Sequence, residues 1–396
     1  MARTPTGRRA FVWLIALLAL AGCDRFREQA SDGAADLRPD LPADLAAPDG
    51  GCSDDPGTDP HNCGACGRDC QGGACVAGEC QPLVLAASRA APQDLAVAHG
   101  FVYWVEQGTA ANLALDGKVM QVPVAGCPSQ GADCPKTLAQ DQVSPGGVAV
   151  DQNALYWLEH SDGQTTVGTG RVWQLPLPET TPVVFASGQD RPRKVAIEAQ
   201  RLFWVTSSEM RGKYLVGGTG DGLTLADNQP SPVEITVHGT RVYWTNYGTS
   251  DYSGSVMKSE LTGAHLETLA DKQQQPRGIA AGPTFVYWAN AGNGTIMRVD
   301  PQSPSPEAVA SSVATPNAVE LDQEWLYYLE GGTQPYYADG RVVALRLDGS
   351  EKRTLATGQI YPRSLALDAT CVYWVNRGTP GQDKLDGAVM KSARPR

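Results

Sequence analysis

Charge is scarce in this chain. Asp, Glu, Lys and Arg make up 19% of its 396 residues, and the balance leans acidic, with a formal net charge of −11 and a pI near 5.0. That sign argues against general attraction to DNA, RNA or anionic lipid. Histidine is scarcer still, at five residues, and His99, His160, His238 and His265 show no metal-ligand spacing, so each reads as a solvated or turn residue. No Gly-x-Ser-x-Gly, His-Glu-x-x-His, P-loop or EF-hand pattern occurs. Gly217, Gly218, Gly220 and Gly222 lack the spacing of a dinucleotide-binding loop and read as a turn. The apolar run over residues 11–20 is short of the ~20 residues that a membrane-spanning helix needs. Glycine and proline are plentiful instead, at 43 and 28 residues, a loop-rich composition that fits an all-β protein.

What is present is a repeat. An apolar residue plus alanine precedes a proline at one fixed interval in seven copies: Ala86 to Pro92, Ala139 to Pro145, Ala186 to Pro192, Ala226 to Pro232, Ala270 to Pro276, Ala310 to Pro316 and Ala356 to Pro362. Eleven residues past each proline stands an aromatic: Tyr103, Tyr156, Phe203, Tyr243, Tyr287, Tyr327 and Tyr373. Tryptophan follows it in every copy but one, where Tyr328 stands. The prolines recur at steps of 40 to 53 residues, the span of one four-stranded propeller blade.

Each copy divides into a Leu-Ala strand, a strand after the proline, a Tyr-Trp strand and a Gly-x-Val/Ile strand. The last is degenerate in the third copy, which offers only Tyr214-Leu215-Val216. Neighbouring residues of a strand face opposite sides, so paired Tyr and Trp fit a sheet covered on both faces. The final copy stops after Val389-Met390-Lys391, while an orphan Leu-Ala strand at residues 83–86 precedes the first proline. That early strand is expected to complete the last blade and close a seven-bladed ring, removing two exposed edges.

Ahead of the repeats, Arg3, Arg8 and Arg9 precede the apolar run in the layout of a secretory signal peptide over residues 1–22. Leu20-Ala21-Gly22-Cys23 then resembles the lipobox of bacterial lipoproteins, which implies acylation of Cys23 and anchoring to an envelope membrane or the cell surface. Asp-Leu pairs interspersed with Pro39, Pro42 and Pro48 make residues 23–51 an acidic, extended tether. Cys52, Cys63, Cys66, Cys70, Cys75 and Cys80 form an even set in residues 52–81, read as disulfides of undetermined pairing; Cys63 and Cys66, with His61 beside them, leave zinc as the rival. The run from Asn62 to Cys70 resembles the cysteine-rich module of plant stigma-specific-type proteins. Cys127 and Cys134 are expected to staple a blade hairpin, and Cys371 to be a buried thiol.

Tyr243-Trp244-Thr245-Asn246, followed by Gly254-Ser255-Val256-Met257, resembles the YWTD repeat of low-density-lipoprotein-receptor-type propellers, and the Pro-x-x-Ile-Ala opening is similar to that of NHL and gluconolactonase-type propellers. The likeness spans residues 82–396 and implies a fold. The YWTD propellers have six blades, and their aspartate is replaced here by Glu106, Glu159, Thr206, Asn246, Asn290, Glu330 and Asn376. In that family the aspartate ties neighbouring blades together, and the same duty is expected of these seven. Counting strands up and down puts the loops after Tyr-Trp, such as residues 107–116, 247–254 and 331–340, at the channel end where the post-proline strands begin. There Arg193, Lys194, Arg277 and Arg363 are expected to form an anion-attracting entrance for a protein, a glycan or an acidic small ligand, unless Asp94, Asp190 and Glu234 neutralise them. Asp94, Glu234 and Asn317 are the only candidate ligands for a channel metal, which a lactonase- or lyase-like enzyme would need; no cofactor is expected. A structural envelope-assembly protein is the remaining alternative, and a monomer is expected.

Overall fold

A computed structural model describes residues 56–109, 115–128, 133–160, 168–198, 200–380 and 385–395. The segments expected to be a signal peptide and a tether, with Cys23 and Cys52, lie outside these residues. The described chain is all-β: seven four-stranded antiparallel sheets and one two-stranded ribbon. Pro92–Ala98, Phe101–Glu106, Gly117–Pro123 and Lys136–Gln142 form the first blade, from the channel outward. The seven innermost strands contact one another in sequence order, and the last touches the first, so the ring closes.

Closure uses the strand that the repeat leaves over. Leu83–Arg89 is the outermost strand of the seventh blade, pairing Leu83 with Lys391, Val84 with Met390 and Ala86 with Val389. Its last residue reaches into the first blade, where Arg89 Nε lies 2.6 Å from Glu106 Oε1. The third blade departs from expectation. Its third strand is Met210–Tyr214, because Thr206 and Glu209 close a tight turn (Thr206 N to Glu209 O, 2.8 Å) and the strand begins early.

The Tyr-Trp strands form the core. Trp104, Trp157, Trp204, Trp244, Trp288 and Trp374 are completely buried between sheets, and so is Tyr328 in the sixth blade. A buried indole N–H needs an acceptor. The preceding blade supplies it from a glutamine three residues before the proline: Trp157 donates to Gln142, Trp204 to Gln189, Trp244 to Gln229, Trp288 to Gln273 and Trp374 to Gln359, at 2.7–3.1 Å. Asn246, Asn290 and Asn376 donate to the same glutamine oxygens at 2.9 Å. These three residues of the YWTD aspartate slot thus tie blades together through an acceptor that the sequence did not single out, whereas Glu330 pairs with Arg341 of its own blade. Glu159 ties blades by accepting the Val143 N–H at 2.7 Å, and Thr206 bonds within its own turn.

Glycine and proline lock the same seams. A Cβ on Gly117 would fall 2.5 Å from the Pro145 ring, and one on Gly387 would fall 2.6 Å from the Pro92 ring, so each proline nests against the bare backbone of the blade before it. All seven residues ahead of the prolines (Ala91, Ser144, Arg191, Ser231, Gln275, Thr315 and Tyr361) adopt positive φ of 48–59°. That conformation costs a non-glycine residue roughly 1–2 kcal/mol. The carbonyl it presents accepts a backbone N–H from just past the Tyr-Trp strand, as in Gln107 to Ala91 (3.1 Å), Tyr247 to Ser231 (2.9 Å) and Arg377 to Tyr361 (3.0 Å). The post-proline residues and the loops after Tyr-Trp are thereby held at one end of the channel.

In the cysteine-rich module, Cys63 is bonded to Cys75 and Cys70 to Cys80, and Cys66 is disulfide-bonded as well. The Sγ atoms of Cys63, Cys70 and Cys80 lie close together, but all three are in disulfides and offer no thiolate to zinc. The module's cysteines pack against Ala393 of the seventh blade. Cys127 and Cys134 are joined between the third and fourth strands of the first blade, and Cys371 is a buried free thiol.

Candidate functional site at the channel mouth

Proline sets the register of each innermost strand, so the residue after it recurs at the same height around the axis. These seven residues, Gln93, Gly146, Arg193, Val233, Arg277, Asn317 and Arg363, all line one cavity of about 460 Å³. His160 and Tyr247, from loops after the Tyr-Trp strands, share its wall with Ser231, Lys194 and Glu234. The loops are clasped at their bases: Thr109 bonds Asp116 through backbone and hydroxyl at 2.8 Å, and Thr333 with Asp339 and Thr379 with Asp386 repeat the arrangement. Rigid bases under loops of different length suit a recognition rim.

The sequence-predicted residues divide into two groups. Lys194 borders the cavity where it meets the channel interior. Its ammonium lies 2.7 Å from Asp94 Oδ1 and 3.4 Å from Glu234 Oε1. Burial alone would lower the Lys194 pKa, but the two carboxylates more than offset it and hold it above the usual lysine value. Asp94 also accepts the Ser364 hydroxyl at 2.5 Å and the Val148 N–H at 3.0 Å, joining four blades. The expectation that Lys194 is free to meet a ligand is therefore corrected: its charge is spent on Asp94 and Glu234, and Asp94 is buried beneath the mouth. The same pairs answer the channel-metal alternative, because an ammonium already sits between Asp94 and Glu234. Asn317 is engaged too, accepting from Arg277 at 3.0 Å and donating to the Pro362 carbonyl at 3.2 Å.

Arg193, Arg277 and Arg363 form the second group. None has a carboxylate within 4.0 Å among the described residues, so Asp94 and Glu234 pair with Lys194 instead, although the Asp190 charge still acts on Arg193 from farther off. Arg193 donates to Ser231 Oγ at 3.2 Å. Arg277 lies over the Tyr247 ring at 5.6 Å and Arg363 over the Tyr361 ring at 5.5 Å. Burial and the nearby Arg277 and Arg377 charges pull the Arg363 pKa below its ordinary value, while Tyr361 opposes them. Arginine still carries its charge at any working pH.

Three residues at or behind the mouth were given no site role from sequence. Glu320 sits four residues past its proline, where five other copies carry Ala96, Ala149, Ala196, Ala280 and Ala366. Burial, reinforced by the Glu234 charge, pushes its pKa up to about 8, so it is mainly protonated at neutral pH. Arg377 follows the seventh Tyr-Trp strand, lies over Tyr361 at 5.9 Å and donates to Gln107 at 3.0 Å. His160 is no solvated turn residue: it walls the cavity beside Gly146, and its Nε2 is buried without a hydrogen-bond partner. Burial, then Arg193 and Arg191, lower its pKa to about 4, so it is neutral at physiological pH. The signal for His160 and Arg377 was positional, since they stand, like Tyr247, four residues past the aromatic of their copy.

No protein-family model matches the chain, and no curated protein matches it. Among solved structures, a streptogramin B lyase aligns with a TM-score of 0.57 at 13% identity, covering 79% of this chain and 97% of that one. Virginiamycin B lyase from Staphylococcus aureus gives 0.57 at 11% identity, covering 79% and 98%. A chain of a nidogen–laminin complex aligns at 0.45 with 18% identity, covering 61% and 90%. At such identities the likeness is one of fold, and it places this chain among β-propellers.

Proposed function

We propose that this chain is a lipid-anchored lipoprotein of a bacterial envelope or cell surface, and that its propeller binds an anionic ligand or partner at the channel mouth. The supporting observation is the set of arginines at alternate blades, Arg193, Arg277 and Arg363, that line one cavity without carboxylate partners in a protein of net charge −11. Part-buried like charges of this kind are stabilised by an anion from outside. A volume of 460 Å³ suits a small ligand or the tip of a glycan or acidic peptide. The anchor rests on Leu20-Ala21-Gly22-Cys23.

Binding to a panel of acidic glycans and peptides tests the mouth. The double variant Arg277→Ala/Arg363→Ala is expected to lose at least tenfold in affinity, and unchanged binding overturns the reading. For the anchor, Cys23→Ala is expected to move the protein from the membrane to the soluble fraction.

A further inference from the structure

Three guanidinium groups meet at one phenol. Arg363 Nη1 lies 3.4 Å from the Tyr361 hydroxyl oxygen, and Arg277 and Arg377 are close enough to act on the same oxygen. Burial would raise the Tyr361 pKa, yet the three cationic charges carry it below the ordinary tyrosine value. No carboxylate pairs with any of the three among the described residues; their other partners are neutral, Asn317 for Arg277 and Gln107 for Arg377. The Arg377 Nε atom is buried with no acceptor at all. Tyr361 is itself held in place, stacked on Tyr337 with ring centres 4.5 Å apart. Its carbonyl is tied to the Arg377 N–H and its own N–H to the Tyr337 carbonyl.

This cluster carries more charge and more donors than one carboxylate can use. A carboxylate brings a single negative charge and two oxygens, which one guanidinium satisfies with two parallel bonds. A phosphate or sulfate ester brings three terminal oxygens in a tetrahedral array, and a phosphate ester bears close to two charges at neutral pH. The neighbouring interior works against an anion, since Asp94 and Glu234 exceed the charge of Lys194 by one while Glu320 is mainly neutral, so the arginines supply the whole attraction. Resting on the anion-binding reading above, we propose that the Arg277, Arg363 and Arg377 cluster takes a tetrahedral oxyanion, the phosphate or sulfate group of a small ligand. The aromatic wall at Tyr247 then faces the part of the ligand that carries it.

Titration calorimetry of the full-length protein in detergent, at constant ionic strength, decides the matter with inorganic phosphate, sulfate and glucuronate as probes. Phosphate or sulfate is expected to bind at least tenfold more tightly than glucuronate. Arg377→Ala and Arg363→Lys are each expected to weaken that binding by fivefold or more. Lys136→Ala, on the outermost strand of the first blade and paired with Glu179, is expected to change it by less than twofold. Unaltered far-UV dichroism and melting temperature verify folding of each variant. Glucuronate binding as tight as phosphate, or binding insensitive to Arg377 and Arg363, overturns the oxyanion assignment and leaves the anionic mouth standing. Failure of all three probes, together with no binding in the acidic panel, overturns both.

Discussion

Replacing Glu320 by glutamine should make this protein more stable in alkali. In the channel, burial and the facing Glu234 raise the Glu320 pKa from 4.5 to about 8. The folded chain therefore holds a proton there that the unfolded chain has released, over the whole interval from about 4.5 to 8. Where the folded state binds more protons, stability falls as pH rises, so the contribution is complete below 4.5 and gone above 8. A rise of that size corresponds to roughly 5 kcal/mol, and water entering the channel reduces it to about 2–3 kcal/mol. Glu320→Gln keeps the shape and the neutral charge of the protonated acid and cannot ionise. Urea melts of wild type and variant at pH 5, 7 and 9 should show similar stability at pH 5 and a variant ahead by about 2–3 kcal/mol at pH 9. Parallel pH profiles would refute the placement of Glu320 beside Glu234. A companion, Lys194→Met, removes the cation between Asp94 and Glu234, and breaking such a buried pair costs about 3–5 kcal/mol. Its loss should be larger at pH 9 than at pH 5, where the stranded carboxylates take up protons.

On the acid side the sign reverses at His160: the folded pKa of about 4 lies below the ordinary 6.5, so stability falls as pH drops through that interval. His160→Gln should remove about 3 kcal/mol of this loss, read as a flatter melt profile between pH 7 and 4. Gly387→Ala drives a methyl against the Pro92 ring and the Arg89 carbonyl at the closing seam and should cost about 1–3 kcal/mol in chemical denaturation. The seam between the fifth and sixth blades lacks both halves of the indole clasp, with Tyr328 for tryptophan and Val313 for glutamine, and the Tyr328 hydroxyl is buried without a partner. Tyr328→Trp and Val313→Gln should each destabilise alone and recover about 1–2 kcal/mol in the double variant; additive effects would mean that the clasp does not act as a unit.

The architecture was legible because proline and the Tyr-Trp pair mark two strands of every blade, and counting between them fixes both the number of blades and the strand left over at each end. The same register revealed half of the mouth: the residue after each proline is aimed at the axis in all seven copies, so Arg193, Arg277, Asn317 and Arg363 were found together. What stayed hidden needed contacts between copies. Lys194 looked like a fourth mouth cation, since a sequence does not show that its long stem reaches Asp94 two blades away. Five of the seven copies carry the glutamine of the clasp, but its meaning lies in the next blade's tryptophan; Val313 faces Tyr328 where both are absent, and Arg89 holds Glu106 as the acceptor for Trp104 where only the glutamine is. Glu320 and Arg377 stand out only when the copies are laid in register and the odd residue in a column is asked why it is odd. An acid in a column of alanines is costly to bury as an ion and survives here by keeping its proton. An arginine among Gln107, Ser207, Ala291 and Gly331 has no structural duty that these neighbours share, and it lies against the one aromatic side chain that precedes a proline. In a repeat whose equivalent positions solve one packing problem seven times, departures from the column are where selection for something other than the ring is written.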